Sequence, residues 1–126
     1  MSRESKAMEK SFRKYLVWQK AHALAVEMCL VTKSFSKEWD WLASQLRRAS
    51  FSVPVNFVEG YLRGSTKEFL RFLDISKGSL AEVEYELEFS KDVGVLTIQD
   101  YQRLDKLRGE VAGLLSRFIS AVKENS

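Results

Sequence analysis

The sequence predicts an all-α fold, an up-down-up-down antiparallel four-helix bundle in a single domain. Apolar residues recur at intervals of three and four along four segments, which is the spacing of one helix face. Short connections join the segments and favour antiparallel neighbours. Six glycines and one proline among 126 residues are too few turn-forming residues for an all-β fold of this size.

The first predicted helix spans about residues 12–34 and follows a basic polar N-terminal arm, residues 1–11. Its apolar positions step by four and three, as in a helix packed in a bundle. The second helix is expected over about residues 38–63, with Ser36 as its N-cap and Gly64 as the left-handed residue after its end. The apolar face of the first helix consists of Val17, Ala21, Leu24, Met28, Val31 and Phe35.

The third and fourth helices are predicted over about residues 66–93 and 98–123. Ser65 and Glu68 have the spacing of a capping box, in which the hydroxyl caps the helix and the carboxylate reaches back. Thr97 is expected to cap the fourth helix. The two apolar faces consist of Phe69, Leu73, Leu80, Val83 and Leu87, and of Leu104, Leu107, Val111, Leu114, Phe118 and Ala121.

The second helix has two apolar faces on nearly opposite sides. A helix in a bundle needs only one such face to reach the core. The second face therefore predicts contact with another subunit, in a homo-oligomer. The alternative is that the N-terminal arm covers it. The first face consists of Leu42, Leu46, Ala49, Val53 and Phe57, and the second, the predicted oligomer interface, of Phe51, Val55, Val58 and Leu62.

A polar stripe runs between these faces and is predicted to be structural. If the second and third helices pair antiparallel, Arg48 lies opposite Glu82, and Gln45 lies near Glu86. An ion pair between Arg48 and one of these carboxylates would fix the register of the two helices, a role that buried or half-buried charges can have. The stripe on the second helix consists of Gln45, Arg48, Ser52, Asn56, Glu59 and Arg63.

Two residues in these helices predict departures from regular packing. Pro54 removes one backbone donor inside the second helix, so a kink is expected there. Gly78, within the third helix, is expected to let the two backbones approach closely.

The composition argues against an enzyme, a metal protein and a membrane protein. His22 is the only histidine and has no carboxylate three or four residues away, while Cys29 is the only cysteine and cannot form an internal disulfide. Neither a Glu-x-x-His motif nor a nucleotide-binding glycine loop is present. No segment approaches the ~18 apolar residues of a membrane span, and the first fifteen residues lack the apolar core of a signal peptide. We therefore expect a cytoplasmic protein without catalytic residues, metal, cofactor or small-molecule substrate.

The distribution of charge favours a polyanionic partner. The net charge is only +3, but residues 1–20 contain six Lys or Arg against two Glu. Basic side chains on the arm and the first two helices would contact phosphates of RNA or DNA, with strong salt dependence and little sequence readout. The candidates for nucleic-acid binding are Arg13, Lys14, Lys20, Arg47 and Arg63.

The run "QLRRASFSVPVNFVEGYLRGS", followed by "EFLRFLDISKGSLAEVEYEL", resembles a bacterial protein family encoded in intervening sequences of 23S ribosomal RNA genes. "VWQKA" at residues 17–21 is similar to the opening helix of that family, and the likeness covers roughly residues 12–122. The resemblance implies a four-helix bundle that assembles into rings, typically homopentamers, with no catalytic residues. It also implies kinship with the accessory proteins of diversity-generating retroelements, basic barrels with a nucleic-acid role.

Two functional hypotheses follow from these observations. The first is a non-catalytic, homo-oligomeric accessory protein that associates with nucleic acid. The second is a protein-interaction scaffold that docks a different protein through the second apolar face of the second helix. An enzyme is a distant third hypothesis.

Overall fold

The computed structural model describes residues 11–125, and four α-helices account for most of them. They are α1 (Leu16–Thr32), α2 (Asp40–Leu62), α3 (Thr66–Asp92) and α4 (Ile98–Glu124). The described residues contain no strand, and the predicted all-α class is confirmed. Most of the predicted N-terminal arm, residues 1–10, lies outside the described residues.

The helices form a closed bundle in which each helix packs on two neighbours. Consecutive helices are in contact, and α4 returns to pack on α1. Within the described residues the diagonal pairs make no close backbone approach, so the apolar side chains of all four helices meet in the centre. Full burial of one such side chain stabilises the fold by roughly 1.5–3 kcal/mol. The largest buried side chains are Leu24, Met28, Leu42, Leu46, Leu73, Leu87, Leu104 and Leu115.

The start of α1 is later than predicted. Residues Phe12–Lys14 form a 3-10 turn, and Tyr15 is extended before the α-helix begins. The Tyr15 ring lies 5.8 Å from that of Phe57 and 5.2 Å from that of Phe118, measured between centroids. The extended residue therefore places an aromatic side chain between α2 and α4, which explains the break in the expected helix.

The start of α2 also differs from the prediction. Residues Lys37–Trp39 form a 3-10 turn, and the hydroxyl of Ser36 makes no capping bond to the backbone. It lies instead 3.5 Å from the carboxylate of Glu38. Further along, α2 continues through Pro54 as one helix. At its other end Gly64 has a φ of 74°, so the predicted left-handed residue after α2 is confirmed.

The caps of α3 and α4 are formed by the predicted hydroxyls. Ser65 Oγ accepts from the Glu68 amide at 3.1 Å, and Thr97 Oγ1 accepts from the Asp100 amide at 3.1 Å. The Glu68 carboxylate accepts from Arg71 Nε at 3.0 Å. The Glu68 carboxylate therefore bonds to a residue one turn later in α3 and does not reach back to complete the predicted capping box.

The buried face of α4 is rotated relative to the predicted one. Leu104, Val111 and Leu115 are buried, whereas Leu114 is only half-buried and Ala121 is exposed. A straight α-helix drifts by ~20° per seven residues, so positions seven apart move away from the core along a long helix. The step of four from Val111 to Leu115 compensates for this drift.

The predicted close approach of α2 and α3 occurs at Gly60 and not at Gly78. A Cβ atom at Gly60 would lie 2.8 Å from Phe72 Cβ and 2.9 Å from Phe69 Cδ1, whereas one at Gly78 would have no neighbour within 4 Å. The helices converge near the turn that joins them, and Gly60 lies on the side of α2 that faces α3. Gly78 is exposed.

Alanine substitutions at these two glycines should have opposite effects. Gly60→Ala places a methyl group against Phe72 and Phe69, so we expect a loss of roughly 1–3 kcal/mol in the free energy of unfolding. Gly78→Ala adds helix propensity at an open site and should raise it by up to ~1 kcal/mol. Urea unfolding of both variants measures the difference, and equal effects would contradict the close packing at Gly60.

Candidate functional site

The central part of the polar stripe forms hydrogen bonds that connect α2 to α3. The hydroxyls of Ser52 and Ser79 are 2.8 Å apart, and Asn56 Nδ2 donates to Ser52 O at 2.8 Å and to Ser52 Oγ at 2.9 Å. Ser76 Oγ donates to the carbonyl of Val53 at 2.8 Å. These groups are buried or half-buried and satisfy one another. This part of the stripe is a helix–helix contact and contains no reactive arrangement.

The predicted ion pair between α2 and α3 is not formed. Arg48 makes no salt bridge with Glu82 or Glu86, and its side chain is on the exposed side of α2. Glu59 pairs within its own helix with Arg63, at 3.5 Å. The register of α2 and α3 is therefore held by small hydroxyl groups, which allow a closer helix contact than a long charged pair.

The second apolar face of α2 is uncovered by the described residues. Phe51 is 61% exposed, Leu62 is 71% exposed and Val55 is 36% exposed, while Val58 is half-buried. The face continues to Trp41, which is 55% exposed. We call this set, with Arg48 and Ser44, the α2 outer face.

The α2 outer face has the spacing of a coiled-coil seam. Its residues form two rows along the helix. Within each row the residues are seven positions apart, and each residue of the second row comes three positions after one of the first. These are the a and d positions of a heptad, whose side chains pack into a facing helix. A soluble monomer rarely exposes this many large apolar side chains on one helix face. The two rows consist of Trp41, Arg48, Val55 and Leu62, and of Ser44, Phe51 and Val58.

A groove extends the α2 outer face towards α1. Its volume is about 310 Å³. The Trp18 ring at its edge stacks on His22 with a centroid distance of 5.1 Å and an interplanar angle of 10°. The apolar surface offered to a partner is therefore wider than one helix. The groove is lined by Trp18, His22, Phe51, Pro54, Val55, Val58 and Glu59.

Two of the predicted nucleic-acid-binding residues are already engaged in contacts between helices. Lys20 pairs with Glu110 of α4 at 3.7 Å. Arg47 Nε donates to Thr32 Oγ1 of α1 at 3.1 Å. Both side chains therefore help to hold the bundle, although each retains exposed surface.

The other three predicted basic residues lie at one end of the bundle. The start of α1 meets the ends of α2 and α4 there, since the Tyr15 ring is 5.8 Å from that of Tyr61 and 5.2 Å from that of Phe118. The antiparallel topology also brings the start of α3 to this end. We call its basic residues the basic end: Arg13, Lys14, Arg63, Lys67, Arg71, Arg117 and Lys123.

Four members of the basic end were not singled out from the sequence. Lys67, Arg71, Arg117 and Lys123 come from two segments that are not strongly basic overall, so no local charge run marks them. They become neighbours of Arg13 only through the bundle topology. Of the basic end as a whole, Arg63 and Arg71 each pair with a carboxylate of their own helix.

The opposite end of the bundle is acidic, and one carboxylate there is perturbed. Glu84 pairs with Arg108 at 3.1 Å, whereas Glu82 and Glu86 lie one turn apart on α3 without a basic partner among the described residues. Burial, together with the negative charge of Glu82, raises the pKa of Glu86 to about 7. Its Oε1 atom is buried and receives no hydrogen bond from residues 11–125.

The described residues contain neither a metal-binding cluster nor a helix suited to span a membrane. No group of three or more His, Cys, Asp or Glu side chains in residues 11–125 is arranged to hold a metal ion. No described helix is long and apolar enough to cross a membrane. His22 stacks on Trp18, and Cys29 is an exposed free thiol.

Comparison with known proteins agrees with this architecture. Residues 13–117 match the family described as 23S rRNA-intervening sequence protein. The chain belongs to this family. No curated protein matches the chain.

A solved crystal structure has a similar fold. It is a crystal structure of a protein of unknown function from the S23 ribosomal protein family of Bacteroides thetaiotaomicron. The two chains are 24% identical, and the match covers 82% of this chain and 98% of that chain with a TM-score of 0.77. The likeness shows that this member of the 23S rRNA-intervening sequence family shares the fold of that protein.

Glu86→Gln should remove a pH dependence of stability. Because the pKa of Glu86 in the folded chain, about 7, exceeds the ordinary value of 4.5, folding favours the protonated carboxyl. The stabilisation of the folded chain that depends on the protonated carboxyl is complete below pH 4.5 and is lost as the pH rises through about 7. We expect the loss to be on the order of 1 kcal/mol, since the side chain is partly exposed and screened by solvent.

Chemical unfolding at about pH 5 and about pH 8, on either side of the raised pKa, tests this expectation. The wild type should lose stability relative to Glu86→Gln between these values. The matched control is Glu88→Gln, which changes an exposed carboxylate on the same helix. A difference between wild type and Glu86→Gln that stays constant with pH would refute the assigned perturbation.

Proposed function

We propose that the chain is a non-catalytic accessory protein of the cytoplasm that assembles through the α2 outer face and binds RNA or DNA through its basic end. The assembly is a ring, the pentamer that the family resemblance implies. The observation that carries the proposal is the exposed apolar heptad seam of α2. A subunit contact would cover this seam, and a ring would repeat the basic end around its axis.

The composition of the α2 outer face supports association with a second copy of the chain. Its apolar side chains extend over roughly six turns of helix, and Arg48 interrupts them near the middle. A polar residue at a single heptad position specifies register and subunit number at some cost in stability. Arg48 has no ion-pair partner among the described residues, so a neighbouring subunit can supply one.

The separation of charge supports binding of nucleic acid at one end. The basic end has seven Lys or Arg side chains against four carboxylates, those of Glu59, Glu68, Asp74 and Glu124. This excess of positive charge would attract phosphates. The family name refers to 23S rRNA, and the Bacteroides protein is described as belonging to a ribosomal protein family. These descriptions name no bound molecule, so the excess of positive charge is what supports a nucleic-acid partner.

A second candidate function is a scaffold that docks a different protein. The groove of about 310 Å³ beside the α2 outer face favours it, because a partner helix or aromatic side chain would fit between α1 and α2. The two candidates differ in mass: a scaffold is monomeric by itself, whereas a self-assembling chain is not.

A charged substitution in the α2 outer face should break the assembly. Phe51→Glu places an unpaired charge in the proposed seam, so sedimentation at micromolar concentration should show monomers where the wild type shows oligomers. The control Ile98→Glu changes a residue that is 62% exposed outside this face, and it should leave the mass unchanged. A monomeric wild type would refute the assembly and favour the scaffold.

Nucleic-acid binding should depend on salt and on the basic end. We expect mobility shifts with structured RNA or DNA at about 50 mM salt that weaken strongly at about 200 mM. The double substitution Arg13→Ala, Lys14→Ala should lower the salt slope by about one for each phosphate group that is no longer bound. The control double substitution Lys33→Ala, Lys37→Ala, at the opposite end, should change the salt slope little. Absence of any shift at low salt would refute the nucleic-acid role and leave the assembly untouched.

A further inference from the structure

We infer that a groove between α2 and α3 at the acidic end binds the guanidinium group of an arginine side chain presented by a partner protein. The groove has a volume of about 210 Å³ and lies away from the basic end. It has the opposite charge preference to the basic end, and it shares only Trp41 with the α2 outer face. Its lining consists of Trp41, Leu42, Gln45, Tyr85, Glu86 and Phe89.

Three aromatic rings form the walls of the groove. The Trp41 and Phe89 centroids are 6.0 Å apart with an interplanar angle of 65°, and those of Tyr85 and Phe89 are 6.3 Å apart with an angle of 51°. Trp41 is 55% exposed and Tyr85 is 63% exposed, so their ring surfaces are accessible. Cations are attracted to such ring faces, and the planar guanidinium also stacks on them.

A carboxylate that lacks a hydrogen-bond donor completes the groove. Glu86 Oε1 is buried, and no group of the described residues donates to it. Glu86 as a residue is half-buried and forms no salt bridge with the described residues, so the accessible part of its carboxylate can accept from a charged donor, which binds more strongly than a neutral one. The raised pKa of Glu86 agrees with a site that lacks its positive counter-charge, since a guanidinium nearby would lower it.

The charges around the groove favour a cation from outside the chain. Glu82 adds negative charge one turn along α3, and Glu84 is already paired with Arg108. Arg48, about one turn beyond Gln45 on α2, forms no salt bridge with Glu82 or Glu86. The described residues therefore leave this negative charge without a neutralising partner. The same charge disfavours nucleic acid at this end.

Arginine fits the groove better than lysine does. Its five N–H donors lie in one plane, so it can stack on the Trp41 or Tyr85 ring and donate to the Glu86 carboxylate at its edge. The ammonium of lysine is a compact and strongly hydrated charge, which gains less from an aromatic wall.

Titration of the whole chain with short peptides tests the inference. The probe is an acetylated, amidated Gly-Arg-Gly-Arg-Gly peptide, and the comparison peptides carry lysine or the uncharged citrulline in place of arginine. Binding is followed at about pH 8, where Glu86 is ionised, by the NMR signals of the indole N–H groups. We expect saturable shifts of the Trp41 signal and at least roughly tenfold weaker binding of the citrulline peptide. The lysine peptide should bind several-fold more weakly than the arginine peptide.

Variants locate the site and separate binding from folding. Glu86→Gln should weaken arginine binding about tenfold although it removes a destabilising charge, and Trp41→Ala should weaken it several-fold. Glu88→Gln, an exposed carboxylate outside the groove, should leave affinity within about twofold. Wild-type affinity should fall between about pH 8 and about pH 6 as Glu86 takes up a proton.

Three results would overturn the inference. They are equal affinity for arginine and citrulline peptides, equal affinity for arginine and lysine peptides, and an arginine affinity that Glu86→Gln leaves unchanged. Binding that Glu86→Gln and Glu88→Gln weaken equally would indicate general attraction to the acidic end and would also count against the groove.

Discussion

The contact between α2 and α3 is the constraint on which the rest of the structure depends. Gly60 lets α3 begin against α2 without a side chain between them, and the Ser52–Ser79 and Ser76–Val53 hydrogen bonds hold the register further along. With the central part of the polar stripe directed at α3, one apolar face of α2 points into the core. The opposite face must then point outward. The exposed seam is thus a consequence of how α2 is oriented by its neighbour.

The antiparallel topology gives the bundle two chemically different ends. The basic residues come from the start of α1, the end of α2, the start of α3 and the end of α4, while the carboxylates concentrate on the second half of α3. We propose that the first end attracts phosphate groups and that the groove at the other end takes a cation. Between them, the α2 outer face supplies an apolar surface. Under the proposed function, these three surfaces would let the chain join partners of different chemistry.

Part of the candidate site was predictable from the sequence and part was not. Phe51, Val55 and Leu62 could be assigned to an outward face, because helical periodicity fixes the angle between residues of one helix. Periodicity within one helix does not predict which residues of another helix a side chain contacts. For that reason the ion pair predicted for Arg48 was wrong. The aromatic groove beside Glu86 could not be predicted either, because it is formed by residues of α2 and α3 together.

The sequence by itself determined the all-α class, the four helices and the two-faced character of α2, because these follow from local spacing, caps and turn residues. Tertiary structure alone decided where the helices approach most closely, which pairs of polar groups meet and which basic residues share an end. These properties depend on distances between segments that are remote along the chain. Gly60 illustrates the difference: its sequence context resembles that of any helical glycine, and only the position of Phe72 makes its missing side chain necessary.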